Sequence, residues 1–177
     1  MKTIVGVMGP GDQATPMDLK TAYALGNAIA RAGWVLLTGG RNVGVMDAAS
    51  RGAKAAQGLT VGILPTQNLT HMSDAVDIPI ATGLGQGRNL INVLSSHVII
   101  ACGNGTGTAS EIAFALKANK PIIFIGASSE ALAFWQSLSL SPLCIAQTAE
   151  QTIAMAQGLL TARAPLGFQK SHKQEGK

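Results

Sequence analysis

Charged side chains are scarce in this sequence. Asp, Glu, Lys and Arg make up 12% of its 177 residues, about half the usual share of about 25% in soluble domains. Such a low fraction predicts either a weakly charged, alanine-rich surface or a surface that is buried between copies of the chain. We favour the second interpretation and expect a homo-oligomer, either a dimer or a tetramer.

A basic face for nucleic acid is also missing. The net charge is +4, but the segment from Arg163 to the end carries four basic residues and one acid, so the rest of the chain is close to neutral. Aromatic residues are only 4% of the chain, too few for a platform on which bases stack. We therefore expect no nucleic-acid partner, and we interpret residues 164–177 as a mobile, basic C-terminal tail.

Cysteines and long apolar runs are few. The two cysteines, Cys102 and Cys144, lie at or near apolar strand ends, and we expect them to be reduced and not to bind metal. The three histidines have no metal-ligand spacing with each other or with the cysteines. No apolar run approaches the ~18 residues of a membrane span. These absences predict a cytoplasmic protein with no metal site and no membrane partner.

Short apolar runs rich in β-branched residues alternate with segments of helical periodicity. Runs that are apolar throughout and are separated by helices are typical of a parallel sheet covered on both faces. The sequence predicts an α/β fold: a single Rossmann-like, doubly wound domain over residues 1–163, with a mainly parallel sheet of about six to seven strands and helices on both faces. The predicted strands are 3–9, 34–38, 59–64, 75–80, 97–102, 121–125 and 143–146. The predicted helices are 17–32, 45–57, 87–96, 111–117, 130–138 and 149–162.

The most informative stretch runs from Cys102 to Glu111, with the sequence Cys-Gly-Asn-Gly-Thr-Gly-Thr-Ala-Ser-Glu. It joins a buried strand to a helix that we expect to begin near Glu111. A glycine-rich turn at this point exposes backbone N–H groups where the helix dipole is positive, which favours phosphate binding. The turn has neither a Walker lysine nor the standard dinucleotide fingerprint.

A second glycine loop, residues 38–46, follows another predicted strand. It carries Arg41, whose planar guanidinium suits phosphate or another oxyanion, although a surface ion pair is an equally good interpretation. Arg88 precedes the helix that leads to the central strand. Arg88 and Glu111 can hold an anion and activate a hydroxyl, or they can form a buried structural ion pair.

These motifs resemble a known superfamily. The Gly-Gly-x-x-x-Gly-x-Met loop at 39–46, Arg88 and the Gly-x-Gly-Thr-x-x-Glu at 105–111 are similar to those of the cytokinin-activating phosphoribohydrolases, the Lonely Guy family. In that family the second loop binds the phosphate of a nucleoside monophosphate. An Arg and a Glu serve the cleavage of the N-glycosidic bond, and these would be Arg88 and Glu111 here.

The sequence departs from the enzyme pattern at several positions. Gly103 and Asn104 replace a Pro and a Gly, Ile112 replaces a second Glu, and Asn89 replaces a Lys. Arg41 stands where the enzymes have a third glycine. The loss of a lysine and a glutamate weakens the hydrolase interpretation, whereas Arg41 favours a more anionic ligand.

From about residue 3 to 160, the chain is more similar to the molybdenum cofactor carrier proteins of algae and cyanobacteria. The similarity extends through residues 39–46, 73–80, 82–85, 92–96 and 111–118. This resemblance implies that the protein binds, protects and transfers the molybdenum cofactor (molybdopterin) without turnover. The implied ligand is an anionic, phosphate-bearing small molecule, and the implied protein partners are cofactor-synthesis proteins and molybdoenzymes.

Three functions remain open from the sequence: a cofactor carrier, a nucleoside 5′-monophosphate phosphoribohydrolase, and a nucleotide-sensing module. All three need an anion-binding crevice at the carboxyl ends of the strands. No catalytic residue is favoured for the carrier, whereas a hydrolase would use Arg88 and Glu111. The predicted cofactor-binding residues are Gly9, Gly39, Gly40, Arg41, Asn42, Gly44, Arg88, Asn104, Gly105, Thr106, Gly107, Thr108 and Glu111.

Overall fold

The computed structural model describes residues 1–163, and strands and helices alternate through this part of the chain. The strands are β1 (Ile4–Met8), β2 (Val35–Thr38), β3 (Thr60–Leu64), β4 (Ile78–Ala81), β5 (Val98–Cys102), β6 (Ile122–Ile125) and β7 (Cys144–Ala146). The helices are α1 (Pro16–Arg31), α2 (Gly44–Ala55), α3 (Arg88–Ser95), α4 (Thr106–Lys117), α5 (Ser129–Leu138) and α6 (Ala149–Arg163). A short 3₁₀ turn, Gly85–Gly87, precedes α3. The predicted basic tail lies outside the described residues.

All seven strands form one parallel sheet in the order β4-β3-β2-β1-β5-β6-β7. The strand order reverses between β1 and β5, which is the switch point of a doubly wound sheet. The predicted fold class is therefore confirmed. Pro79 lies in β4 at the edge of the sheet, where its missing N–H interrupts no ladder of hydrogen bonds.

Alternate strand residues build one apolar core on each face of the sheet. On the first face, Val5, Leu36 and Ile100 pack in a cluster with residues of α1, α2 and α6. On the second face, Leu37, Ile99 and Phe124 pack with residues of α3, α4 and α5. Successive side chains of a strand point to opposite faces of the sheet. Strands that are covered on both faces must therefore be apolar throughout, as the predicted strand segments of the sequence are.

Helix α1 illustrates how local signals set the element bounds. The Thr15 side chain accepts a hydrogen bond from the Asp18 N–H (3.1 Å), and Asp18 Oδ2 accepts one from the Thr15 N–H (2.9 Å). These two bonds form a capping box that satisfies N–H groups at the start of the helix. Gly33 follows the end of the helix with φ of +75°, as expected for a glycine at that position.

Two predicted boundaries were wrong. Strand β4 begins at Ile78 rather than Ala75, because the chain before it turns instead: Thr60 Oγ1 donates to the Ala75 carbonyl over 2.7 Å. Helix α4 begins at Thr106 rather than near Glu111. The small residues that we expected to remain in the turn already adopt helical geometry, so Glu111 lies in the second turn of α4.

No helix in residues 1–163 is long and apolar enough to cross a membrane.

Candidate functional site

A cleft of about 620 Å³ lies over the carboxyl ends of β1, β2, β3 and β5, at the switch point of the sheet. Its walls come from the loop after β1, the glycine loop after β2, and the first turns of α3 and α4. The first turn of α4 belongs to the glycine-rich stretch that the sequence singles out. The position agrees with the general rule for ligand sites in open α/β sheets.

The N-terminus of α4 forms one wall of the cleft. Gly105 precedes the helix. The N–H groups of a first helical turn have no helical acceptor, and in the described part of the chain no side chain caps them. The Thr108 hydroxyl is buried and has no hydrogen-bond partner in the described part of the chain. Ser110 Oγ instead donates to the Gly107 carbonyl (2.7 Å). Unpaired donors at the positive end of a helix dipole favour an anionic ligand at this wall.

Arg88, the first residue of α3, lies deep in the cleft and is 7% exposed. Its guanidinium packs against Gly39, and its Nη2 atom contacts the Met46 sulfur at 3.8 Å. Its Nε atom has no partner among the described residues. Burial lowers the pKa of Arg88; nearby Glu111 opposes this effect and Arg41 adds to it. A buried cation with an unused donor favours an anionic ligand.

Glu111 lines the same cleft from the second turn of α4 and is 5% exposed. Its Oε1 accepts a hydrogen bond from Asn92 Nδ2 over 2.8 Å. Burial raises the pKa of Glu111 to about 7, although the Asn92 hydrogen bond and the charge of Arg88 lower it. Near neutral pH this carboxyl is therefore partly protonated, which reduces its repulsion of an anion.

Within residues 1–163, neither arginine forms the ion pair that was the alternative interpretation from the sequence. The salt bridges Arg51–Asp47 and Lys54–Asp77 involve neither of them. Arg88 and Glu111 interact electrostatically, but no guanidinium nitrogen lies within 4.0 Å of a carboxylate oxygen. Arg41 is half-buried and lines the cleft. Its backbone is held by an isolated bridge to Met72.

Most of the predicted site residues line this cleft, and four do not. Those in the lining are Gly9, Gly39, Arg41, Arg88, Gly105, Thr106, Gly107, Thr108 and Glu111. Gly40 has φ of +72° and packs on the Gly62 backbone, and Gly44 has φ of +58° and packs on the Pro10–Gly11 backbone. The Asn42 N–H donates to the His71 carbonyl over 2.8 Å. These three residues shape the loop, whereas Asn104 lines a second cavity.

Several lining residues were not predicted. Pro10, Gly11, Asp12 and Gln13 extend the wall beyond Gly9, and the proline- and glycine-rich loop after the first strand was a signal for them. Asn89 lines the cleft and donates from Nδ2 to Ser110 Oγ over 2.8 Å. The partnership of Asn92 with Glu111 gave no signal in the sequence, because an asparagine on a helix has many possible partners.

Solved structures with the same fold and a similar sequence include two proteins that are named for the molybdenum cofactor. The molybdenum cofactor binding protein of Rippkaea orientalis is 57% identical, with a TM-score of 0.89 over 90% of this chain and 98% of that chain. The molybdenum cofactor carrier protein of Chlamydomonas reinhardtii is 48% identical, with a TM-score of 0.86 over 91% of this chain and 99% of that chain. The resemblance that the sequence motifs indicate is thereby confirmed.

The phosphoribohydrolases are more distant. A cytokinin riboside 5′-monophosphate phosphoribohydrolase of Mycobacterium marinum is 34% identical over 101 residues, which are 55% of this chain and 53% of that protein. The chain thus spans about half the length of that relative.

The sequence also matches the model of the SLOG cluster4 family over residues 2–153. A match over most of the chain, together with the shared fold, shows that this protein belongs to the SLOG cluster4 family.

Proposed function

We propose that this protein binds, protects and transfers the molybdenum cofactor as a carrier or storage protein, without turnover. The observation that carries the proposal is that Arg88 and Thr108 line the cleft and that a buried polar atom of each, Nε and Oγ1, has no hydrogen-bond partner among the described residues. Buried polar groups of this kind are costly unless a ligand completes their hydrogen bonds. The chain is similar to a molybdenum cofactor binding protein and to a molybdenum cofactor carrier protein over nearly the full length of each, and this similarity supports the same ligand.

The cleft suits this cargo in size and charge. Its volume of about 620 Å³ lies in the usual range of about 300–1,000 Å³ for small-molecule sites. The cofactor carries a phosphate at one end and an oxo-molybdenum dithiolene group at the other, so both ends are anionic or electron-rich. The α4 N-terminus would hold the phosphate, and Arg41 and Arg88 would balance the remaining charge.

A hydrolase is the second candidate, and the Glu111 carboxyl favours it. A glutamate with a pKa of about 7 suits general acid–base catalysis at neutral pH. Arg88 lies in the same cleft. Against this role, the position of the enzymes' lysine is held by Asn89, whose amide is bonded to Ser110. Ile112 packs in the apolar core and supplies no second carboxylate. The nucleotide-sensing module remains a third candidate with neither activity.

An anaerobic equilibrium titration with purified molybdenum cofactor tests the proposal, with AMP as competitor. We expect saturable binding of about one cofactor per chain, since each chain carries the cleft described above. Competition by AMP would place both ligands in the same cleft. Release of adenine from AMP without cofactor binding would overturn the carrier function in favour of the hydrolase. Tight AMP binding without cofactor binding and without release of adenine would favour the sensing module.

We also propose that the protein works as a homo-oligomer in the cytoplasm and exchanges its cargo with cofactor-synthesis proteins and molybdoenzymes. Support for the oligomer comes from one face of the molecule. Leu94 on α3 is 53% exposed, and Phe134 and Leu138 on α5 are each 56% exposed. Both helices cover the same face of the sheet, and large exposed apolar side chains there favour association.

A further inference from the structure

A second cavity of about 250 Å³ lies beside the cleft. Its walls come from the ends of β5 and β6 and from the start of α1, so it covers a different part of the sheet edge. Gln13 lines both spaces. Asn104 lines the second cavity only, and the next residue, Gly105, begins the proposed phosphate wall. The two spaces therefore adjoin at Gln13.

The charged groups of this cavity differ from those of the cleft. Asp18 is the only residue with a formal charge among the described residues of its lining, whereas the cleft combines the cations Arg41 and Arg88 with the acids Asp12 and Glu111. Burial, with a smaller effect from Asp18, raises the pKa of the Cys102 thiol to about 12, so the thiol is neutral. Two hydroxyl and two amide side chains complete the polar lining, namely Thr15, Thr21, Gln13 and Asn104. Such a lining disfavours a second phosphate and favours groups that donate hydrogen bonds.

One carboxylate oxygen of Asp18 accepts no hydrogen bond from the described residues. Its Oδ2 accepts from the Thr15 N–H (2.9 Å) and from Thr15 Oγ1 (2.8 Å), while Oδ1 accepts no hydrogen bond from the described residues. Oδ1 lies over two turns with left-handed glycines, Gly103 (φ +74°) and Gly126 (φ +73°). A Cβ at Gly103 would lie 2.5 Å from that oxygen. A side chain at Gly103 would therefore collide with Oδ1, which keeps two unused acceptor positions.

We propose that this cavity is a second subsite, in which Asp18 Oδ1 accepts hydrogen bonds from the amino-substituted ring of the ligand whose phosphate is held by α4. The inference rests on the proposed function for the phosphate end. The ring chemistry that fits is a 2-amino-4-oxopyrimidine, whose exocyclic amine and ring N–H are adjacent donors. Met17 and Ile125 supply apolar wall beside it. That ring occurs in the pterin of the cofactor and in the guanine of a guanine nucleotide.

Three probes separate the subsites: inorganic phosphate for the cleft, GMP for both spaces, and IMP, which lacks the 2-amino group. The fourth probe is the molybdenum cofactor itself under anaerobic conditions. Each is titrated against the full chain and against Asp18→Asn, which keeps the shape of the side chain but removes its charge. Asp74→Asn, at an exposed acid outside both cavities, is the matched control. Thr21→Val is a second cavity variant that leaves the capping box of α1 intact.

We expect Asp18→Asn to weaken binding of the donor ring by about tenfold, the scale of a lost charge-assisted hydrogen bond, and to leave phosphate binding unchanged. Thr21→Val should weaken it less, and Asp74→Asn should have no effect. If the guanine source is correct, GMP binds more tightly than IMP, and Asp18→Asn removes the difference. If the pterin source is correct, the cofactor loses affinity in Asp18→Asn while GMP and IMP bind alike.

The subsite is overturned if neither ring ligand responds to Asp18→Asn or Thr21→Val, or if phosphate binding falls equally. Thermal unfolding of each variant separates a binding effect from loss of the α1 cap. Failure of the carrier function gives a different result, because the unmodified protein would then not bind the cofactor at all. Cofactor binding that is unaffected by either cavity variant would preserve the carrier function and remove the pterin source.

Discussion

The guanidinium of Arg88 occupies the space that a side chain on residue 39 would need. A Cβ at Gly39 would collide with the Nη1, Cζ and Nη2 atoms of Arg88. Gly39 thus serves a contact rather than a turn, because a side chain there would displace the guanidinium. The glycine allows a buried arginine to lie against the end of β2 and to face the cleft.

Gly39→Ala should displace the Arg88 guanidinium and weaken cofactor binding by about 1–3 kcal/mol, the scale of a hydrogen bond to a charged group. Anaerobic titration measures this change. Gly158→Ala is the control, because nothing lies within 4 Å of a Cβ at that position in α6. The control should leave binding unchanged and raise the free energy of unfolding by about 0.5–1 kcal/mol. Equal affinity of Gly39→Ala and the unmodified protein would remove Arg88 from the site.

Glu111 should make the unliganded protein less stable as the pH rises. Its pKa is about 7 in the folded state against 4.5 for an ordinary exposed glutamate, so the folded protein binds more protons between these pH values. Stability therefore falls as the pH rises from about 4.5 to 7. Glu111→Gln should remove this dependence and raise the free energy of unfolding by about 1–3 kcal/mol near pH 8. Urea unfolding across this pH range measures the effect.

Glu130 provides a control of opposite sign for that experiment. Hydrogen bonds at the start of α5 lower the pKa of this exposed carboxyl. Its stabilising contribution is lost as the pH falls through the folded pKa, rather than as the pH rises. Glu130→Gln should therefore leave the decline in stability between about pH 4.5 and 7 in place. If the stability of Glu111→Gln falls over this pH range as much as that of the unmodified protein, another group is responsible.

Arg41→Ala should weaken cofactor binding by about one to a few kcal/mol, as expected for loss of a charge-assisted contact. Arg51→Ala serves as the matched control, since its guanidinium is exposed and pairs with Asp47 on α2. The control should change affinity by no more than a few tenths of a kcal/mol. Fluorescence or calorimetric titration distinguishes the two. Unchanged affinity in Arg41→Ala would exclude this residue from the site.

Charges placed on the apolar face of α3 and α5 should dissociate the proposed oligomer. Leu94→Glu and Phe134→Glu replace side chains that are more than half exposed, so the fold of one chain should tolerate them. Sedimentation velocity should show a shift to monomer in both variants. Leu69→Glu, in the loop between β3 and β4, is the control that should retain the parent state. Persistence of the oligomer in both helix variants would place the interface elsewhere.

The sequence by itself determined the strands, the parallel sheet and the two glycine loops. Strands such as Val98–Cys102 are apolar at every position, and only a sheet covered on both faces accommodates that pattern. The small residues after Cys102 indicated where the proposed anion-binding wall lies, because a short strand-to-helix turn is encoded locally. Their helical state from Thr106 onward was missed, since glycine and threonine have weak helical preference outside a folded context.

Only the tertiary structure decided which side chains meet. Arg88 lies against Gly39, Asn92 bonds to Glu111, and Asn104 lines the second cavity instead of the cleft. These relationships depend on how α3 and α4 pack over the sheet, and no local pattern carries that information. Burial then sets the chemistry: the same glutamate that would be fully ionised on a surface has a pKa of about 7 in the cleft, because desolvation disfavours its charged form.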